Sequence, residues 1–135
     1  MTLILDTSFL IALGNGDRGA FEMGEGLATS REVRWLPAPA IGELAYGVEM
    51  AGREDEQPRV RNAYRLYPVV EIDAEIARRA GRLLAGADRN AGGPGQAGVD
   101  DVDAMVAAVS EHLGDPVLTD NVRDFEALGV AVETF

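Results

Sequence analysis

Short apolar runs alternate with longer amphipathic segments along the whole chain. Four of these runs are too short for helices and predict buried strands: Thr2–Leu5, Pro68–Ile72, Pro116–Thr119 and Val130–Val132. Because helical segments separate them, the strands are predicted to form a mostly parallel α/β sheet with helices on both faces. No repeat and no internal boundary interrupts the pattern, so we expect a single domain over residues 1–135.

Capping residues and turn formers divide the rest of the sequence into helices. From Ile41 onward, the segment Pro39–Gly52 carries apolar residues at the i, i+3, i+4, i+7 spacing of a buried helix face. The glycine-rich segment Asp88–Gly98 predicts a mobile loop. The other predicted helices begin at Phe9 and Asp100 or cover residues 19–33, Arg53–Arg65, Asp73–Ala87 and Asn121–Leu128.

The residue types that are missing exclude several kinds of site. There is no cysteine and only one histidine, His112, which excludes a disulfide scaffold, a cysteine nucleophile and a metal site with several histidines. The absence of lysine excludes a P-loop and the usual lysine of a receiver-type phosphoacceptor. No apolar run approaches the roughly 18 residues of a membrane span, and no basic secretory signal begins the chain. We therefore expect a cytoplasmic protein without membrane contact.

The net charge of −11 comes from 23 acidic residues against 12 basic ones, all of which are arginine. Such a balance argues against a protein that binds nucleic acid by simple charge attraction. Two explanations stay open. The acids could gather divalent cations that then hold phosphates, or the whole surface could be acidic because the cell is salty, as in the haloarchaeal proteins that this composition resembles. A GC-rich genome would explain the missing lysine but not the excess of acid.

Acidic residues follow two of the predicted strands. Asp6 comes directly after Thr2–Leu5, and Asp120 directly after Pro116–Thr119. Ligands of open α/β sheets bind beyond the carboxyl ends of the strands. Each aspartate alone could be a helix cap, but two such acids at the same edge favour a binding site.

Two further carboxylates stand on predicted helices among small or apolar neighbours. One and two turns after Glu43 the helix carries Tyr46, Gly47 and Met50 rather than charges, and a carboxylate in such a setting is costly unless it is paired or bound to a metal. Asp103 lies to the side of an apolar stripe, whereas its neighbours Asp100 and Asp101 are explained by the helix dipole, which favours acids in the first turn. Carboxylates without histidine or thiol suit a hard cation such as Mg²⁺ or Mn²⁺.

Four segments, in this order and spread over the whole chain, resemble PIN-domain ribonucleases, and among them the VapC toxins of toxin–antitoxin pairs. They are Leu3–Leu10 (LILDTSFL), Gly42–Leu44 (GEL), Asp103–Ala108 (DAMVAA) and Leu118–Phe125 (LTDNVRDF). No single segment is decisive, but together they are specific. The resemblance implies a PIN-like three-layer sandwich with a central mostly parallel sheet between helices.

The resemblance also implies a set of site residues. The family's first aspartate, its helical glutamate and its third acid match Asp6, Glu43 and Asp103, which would bind the metal. Its fourth position falls on Asn121, which has no charge, so Asp120 or Asp124 could take its catalytic place, or a second metal could bind weakly. Three hydroxyls could orient these acids or simply cap helices: Thr7, Ser8 and Thr119.

The implied activity is Mg²⁺- or Mn²⁺-dependent hydrolysis of RNA phosphodiesters, giving 5′-phosphate and 3′-hydroxyl products. Metal ions held by carboxylates supply hydroxide near neutral pH and stabilise the leaving oxygen. The implied partners are RNA, a small antitoxin and a second copy of the chain. Arginines between Arg53 and Arg65 are candidate contacts to RNA or to the antitoxin. The alternative is a non-catalytic PIN-like module that binds RNA or protein.

Overall fold

The computed structural model describes residues 2–29, 33–52 and 57–135. Within these ranges the strands are β1 (Leu3–Leu5), β2 (Arg34–Pro37), β3 (Val69–Val70), β4 (Val117–Leu118) and β5 (Val132–Glu133). The helices are α1 (Thr7–Gly14), α2 (Arg18–Thr29), α3 (Ala38–Ala51), α4 (Gln57–Leu66), α5 (Ala74–Ala91), α6 (Asp101–Leu113) and α7 (Val122–Ala127). No helix in the described ranges is both long and apolar enough to cross a membrane.

The strands form one sheet in the order β3-β2-β1-β4-β5, and every pairing is parallel. Successive strand side chains point to opposite faces, and this divides the core in two. Leu3 and Leu5 pack with α1 and α3 on one face, while Ile4 packs with α5 and α6 on the other. The predicted α/β sandwich is therefore confirmed, with a central strand that is buried throughout.

Strand β2 is the element that the sequence pattern does not predict. It is a neighbour of the central strand, with Ile4 paired to Trp35, and Leu36 is fully buried. Arg34 begins the strand and Pro37 ends it, so only two apolar residues stand between an arginine and a proline. The helix predicted over residues 19–33 ends at Thr29, and residues 30–32 lie outside the described ranges.

The helix predicted to end at Ala87 continues to Ala91. Its start is as predicted, because the Asp73 side chain accepts a hydrogen bond from the Ile76 amide at 2.9 Å. Asp88 therefore belongs to the helix and not to the glycine-rich loop. Its carboxylate accepts hydrogen bonds from the amides of Gly95 at 3.0 Å and Ala97 at 3.1 Å, which ties the loop back to α5 and fixes the entry into α6.

The other predicted boundaries shift by a few residues. The strands predicted over residues 68–72, 116–119 and 130–132 are shorter or displaced, as β3, β4 and β5. The polar segment Arg53–Arg65 is helical from Gln57, and its first four residues lie outside the described ranges. The ends of β1 and β4 lie side by side, because Leu5 is paired with Leu118.

Candidate metal centre

The carboxyl ends of β1 and β4 open into an acidic cleft of about 520 Å³. The N-terminal halves of α3 and α6 complete it. All five acids predicted as site residues line this one cleft. The residues around it are Asp6, Thr7, Ser8, Ile11, Glu43, Asp100, Asp103, Asp120, Asn121 and Asp124.

Three carboxylates meet at the centre of the cleft. One side-chain oxygen each of Asp6, Glu43 and Asp103 lies within 4.8 Å of the other two. Asp6 and Asp103 are buried and Glu43 is partly buried. The three come from separate parts of the chain, so only the packing of α3 and α6 against the sheet brings them together.

Asp6 occupies the N-cap position of α1, but its side chain makes no capping hydrogen bond. Instead its Oδ2 accepts hydrogen bonds from the hydroxyls of Ser8 and Thr119, each at 2.8 Å. Each hydroxyl also accepts a hydrogen bond from a backbone amide. The Asp120 amide donates to Ser8 at 3.2 Å, and the Asn121 amide donates to Thr119 at 2.9 Å. Since an ionised carboxylate only accepts, each hydroxyl gives its single proton to Asp6 and accepts the backbone amide through a lone pair.

Glu43 is oriented by α1. The Thr7 hydroxyl lies 3.3 Å from Oε1 of Glu43 and 3.4 Å from the Ala40 carbonyl, so its proton is shared between two acceptors on α3. Thr7 itself is buried. The hydroxyls of Thr7, Ser8 and Thr119 therefore all orient acids, as one of the two sequence interpretations anticipated.

The pKa values of all three central acids are raised. Burial is the main cause of the raised pKa of Asp6, and the hydroxyls of Thr119 and Ser8 partly offset it. Burial and the charges of Asp100 and Asp6 raise the pKa of Glu43. For Asp103, burial and the surrounding carboxylates raise the pKa from 3.8 to about 7. Desolvated like charges are unfavourable unless a cation offsets them.

Asn121, on which the family resemblance places the fourth site position, lies beside two of the acids. Its Nδ2 donates to Oδ2 of Asp103 at 3.2 Å and to Oδ2 of Asp124 at 3.0 Å. Asp124 thus joins the cleft through Asn121. Its other oxygen, Oδ1, accepts a hydrogen bond from the exposed Arg123 side chain at 3.2 Å. Asp120 also lines the cleft, but its side chain is exposed.

Asp100 belongs to the cleft, although the helix dipole alone explained it at the level of the sequence. It does cap α6, because its carboxylate accepts the Asp103 amide at 2.7 Å. In addition it lines the cleft, and its charge is the leading electrostatic cause of the raised pKa values of Asp103 and Glu43. Its position one helical turn before Asp103 was the available signal, since a cap of α6 faces the same edge of the sheet.

The donor set fits a hard divalent cation. The three central ligands are carboxylate oxygens, which Mg²⁺ and Mn²⁺ prefer. Among the described residues that line the cleft, none is basic, and the neighbouring Arg123 pairs with Asp124 from solvent with its side chain 80% exposed. The cluster is thus short of positive charge at the point where its carboxylates are most desolvated.

Comparison with known proteins identifies the family of the chain. No curated protein matches the chain as a relative, but solved structures do. VapBC2 of Rickettsia felis, bound to a promoter DNA fragment, is 17% identical, covering 100% of this chain and 99% of its own, with a TM-score of 0.82. A toxin–antitoxin complex from Klebsiella pneumoniae is 22% identical, covering 91% and 89%, with a TM-score of 0.66.

VapC20 of Mycobacterium tuberculosis, a toxin that cleaves the sarcin–ricin loop, is 24% identical. The likeness covers 96% of each chain, with a TM-score of 0.67. At these identities the likeness establishes the fold, which is that of VapC-type toxins. A family model described as the PIN domain matches residues 3–130. That match spans nearly the whole sequence, and the chain belongs to the PIN domain family.

Proposed function

We propose that this chain is a metal-dependent endoribonuclease and the toxin of a VapBC-type toxin–antitoxin pair. The observation that carries the proposal is the meeting of Asp6, Glu43 and Asp103, whose oxygens lie within 4.8 Å of one another without a basic residue among the described cleft residues. These three acids would hold Mg²⁺ or Mn²⁺. Bound there, a divalent cation supplies a Lewis acid that activates water and offsets phosphate charge.

The chain's own residues prepare the cleft for that cation. Thr119 and Ser8 hold Oδ2 of Asp6, and Thr7 holds Oε1 of Glu43, so two of the ligands are oriented before any cation arrives. Fixed groups cost no reorganisation when charge develops in the reaction. The cleft is open at the surface, which admits an RNA strand, and in-line hydrolysis would leave 5′-phosphate and 3′-hydroxyl ends.

A cation also reconciles nuclease function with the net charge of −11. Without it, the carboxylates in the cleft would repel each other and the phosphate. We therefore propose that the cation contributes more to RNA binding than the arginines do. Of the predicted contact segment, Arg61 and Arg65 are exposed on α4, whereas Arg53 lies outside the described ranges.

An antitoxin is the proposed protein partner, as in the toxin–antitoxin complexes that share this fold. A second surface supports it. An apolar groove runs between α1, α2 and α4, lined among others by Leu13, Phe21, Leu66 and Tyr67. The side chains of Phe21 and Leu66 are 54% and 72% exposed there, which suits an apolar segment of a partner. An antitoxin arginine could also pair with the acids of the cleft. The homodimer stays a prediction.

The decisive experiment replaces Asp103 with asparagine, which keeps its size but removes one charge from the metal centre. We expect Mn²⁺- or Mg²⁺-dependent cleavage of total RNA to fall by at least roughly 10²-fold, about 2.7 kcal/mol of transition-state stabilisation. EDTA should abolish cleavage by the wild type. Asp101→Asn is the matched control, because Asp101 is exposed on the same turn of α6 and is absent from the cleft.

The result also separates the proposed enzyme from the non-catalytic alternative. Equal cleavage by wild type and Asp103→Asn, with both folds intact by circular dichroism, would defeat the metal-centre assignment. RNA binding without cleavage in the wild type, under every metal tested, would favour the binding module instead.

A further inference from the structure

Asn121 makes two hydrogen bonds that join carboxylates from different helices. Its Nδ2 lies 3.2 Å from Oδ2 of Asp103 on α6 and 3.0 Å from Oδ2 of Asp124 on α7. An amide nitrogen carries two protons, one for each acceptor. The side chain thus spans the gap between an acid at the centre of the cleft and an acid at its rim.

The orientation of this amide follows from its neighbours. A carboxylate that binds a cation is ionised and only accepts hydrogen bonds, so the nitrogen faces Asp103 and the carbonyl oxygen points elsewhere. The Asn121 backbone is held as well, since its amide donates to the Thr119 hydroxyl at 2.9 Å. That same hydroxyl donates to Asp6. Asn121 therefore contacts one central acid, Asp103, directly and the hydroxyl that supports another, Asp6.

We propose that Asn121 is a positioning residue that holds Asp103 in place by clamping it to Asp124, and that it is not itself a metal ligand. The carbonyl oxygen, its only possible ligand atom, is turned away from Asp103 by the two hydrogen bonds of the nitrogen. Asp124 acts through the clamp, with its second oxygen bound by Arg123 at 3.2 Å. The inference rests on the proposed metal centre but not on RNA cleavage.

A double-mutant cycle on Mn²⁺ binding tests the clamp. Calorimetry gives the Mn²⁺ dissociation constant of the full chain, and thermal unfolding in EDTA gives the stability of the metal-free state. We expect Asn121→Ala to weaken Mn²⁺ binding roughly 10- to 100-fold, as for groups that orient metal ligands. In the Asp124→Ala background the same change should do less, because the clamp has lost its anchor. The fold-change caused by Asn121→Ala should be at least about 5 times smaller in this background than in the wild type, a coupling typical of residues in contact.

Asp120 provides the charge-matched control. It lines the same cleft with an exposed carboxylate and accepts no hydrogen bond from the Asn121 side chain among the described contacts. Asp120→Ala removes one charge, as Asp124→Ala does. In the Asp120→Ala, Asn121→Ala double variant, the fold-changes of the two single variants in the Mn²⁺ dissociation constant should simply multiply, which means that the two residues are not coupled.

A second variant distinguishes the clamp from a direct ligand. Asn121→Asp replaces the donor with a third acceptor, so the metal-free protein should unfold at a lower temperature than Asn121→Ala. A ligand acting through its carbonyl oxygen would leave the metal-free unfolding temperature of Asn121→Ala at the wild-type value. That result, or multiplicative effects of Asn121→Ala and Asp124→Ala, would overturn the clamp alone. A wild-type chain that binds no Mn²⁺ would instead overturn the metal centre and the clamp with it.

Discussion

The Thr119 hydroxyl donates a hydrogen bond to Oδ2 of Asp6 at 2.8 Å, across 113 positions of sequence. Both residues are buried, Thr119 completely. The contact ties the end of β4 to the end of β1, where the two strands already pair through Leu5 and Leu118. It makes the orientation of one candidate metal ligand depend on a residue with no charge of its own.

Thr119→Val should therefore destabilise the protein without changing the volume of the core. The substitution removes one donor from a buried carboxylate and one acceptor from the Asn121 amide, at an expected cost of about 1–3 kcal/mol in the free energy of unfolding. Urea unfolding in EDTA measures it. Thr2→Val, directly before β1 and only partly buried, should stay within about 0.5 kcal/mol of the wild type. Equal stability of the two variants would show that this hydroxyl contributes nothing to the fold.

The stability of the metal-free protein should fall as the pH rises toward neutrality. The pKa of Asp103 is raised from 3.8 to about 7 in the folded state, so the folded chain holds more protons than the unfolded chain between those values. This stabilising contribution is complete below the ordinary pKa and is lost as the pH passes through about 7. A single group changes the free energy of unfolding by at most about 1.4 kcal/mol per pH unit.

Urea unfolding in EDTA from pH 5 to pH 8 tests this. Asp103→Asn should flatten the decline but not remove it, because the pKa values of Asp6 and Glu43 are raised as well. Asp101→Asn should keep the wild-type slope. A wild-type protein that gained stability over this range would contradict the electrostatics of the cleft.

Salt should stabilise the protein if the acidic surface is an adaptation to a salty cell. Repulsion among charges that sum to −11 is screened as KCl rises from about 0.1 M to above 1 M, where the Debye length is about 3 Å. We expect the thermal unfolding midpoint to rise over that range. A midpoint that stays level or drops would refute the halophilic interpretation and leave the nuclease proposal intact.

The apolar groove should be required for antitoxin binding. Leu66 is 72% exposed on α4, so Leu66→Asp should change the free energy of unfolding by less than about 0.5 kcal/mol. It should nevertheless abolish co-purification with the proposed antitoxin. Leu113→Asp, at the C-terminal end of α6 and outside the lining of the groove, is the control and should co-purify normally. Unchanged capture of the partner by Leu66→Asp would place its binding elsewhere.

The sequence by itself determined the class of fold and most of the acids of the site. Apolar runs and capping residues depend on neighbours in the chain, and these local signals identified β1, the capped start of α5 and the α/β alternation. They also pointed to Asp6 and Asp120, since an acid directly after a buried strand must lie at the sheet edge. The sequence pattern did not predict strand β2, because its burial comes from its neighbours in the sheet and not from its own composition.

Only the tertiary structure decided how the acids are arranged. Whether Asp120, Asn121 or Asp124 completes the site depends on side-chain directions at a turn, and the segment Leu118–Phe125 is compatible with each. The packing of α6 against the sheet brings Asp103 within reach of the Asn121 amide, and this contact draws Asp124 into the cleft while Asp120 stays exposed. Hydrogen bonds between residues far apart in sequence act over a few ångströms, so no local pattern records them.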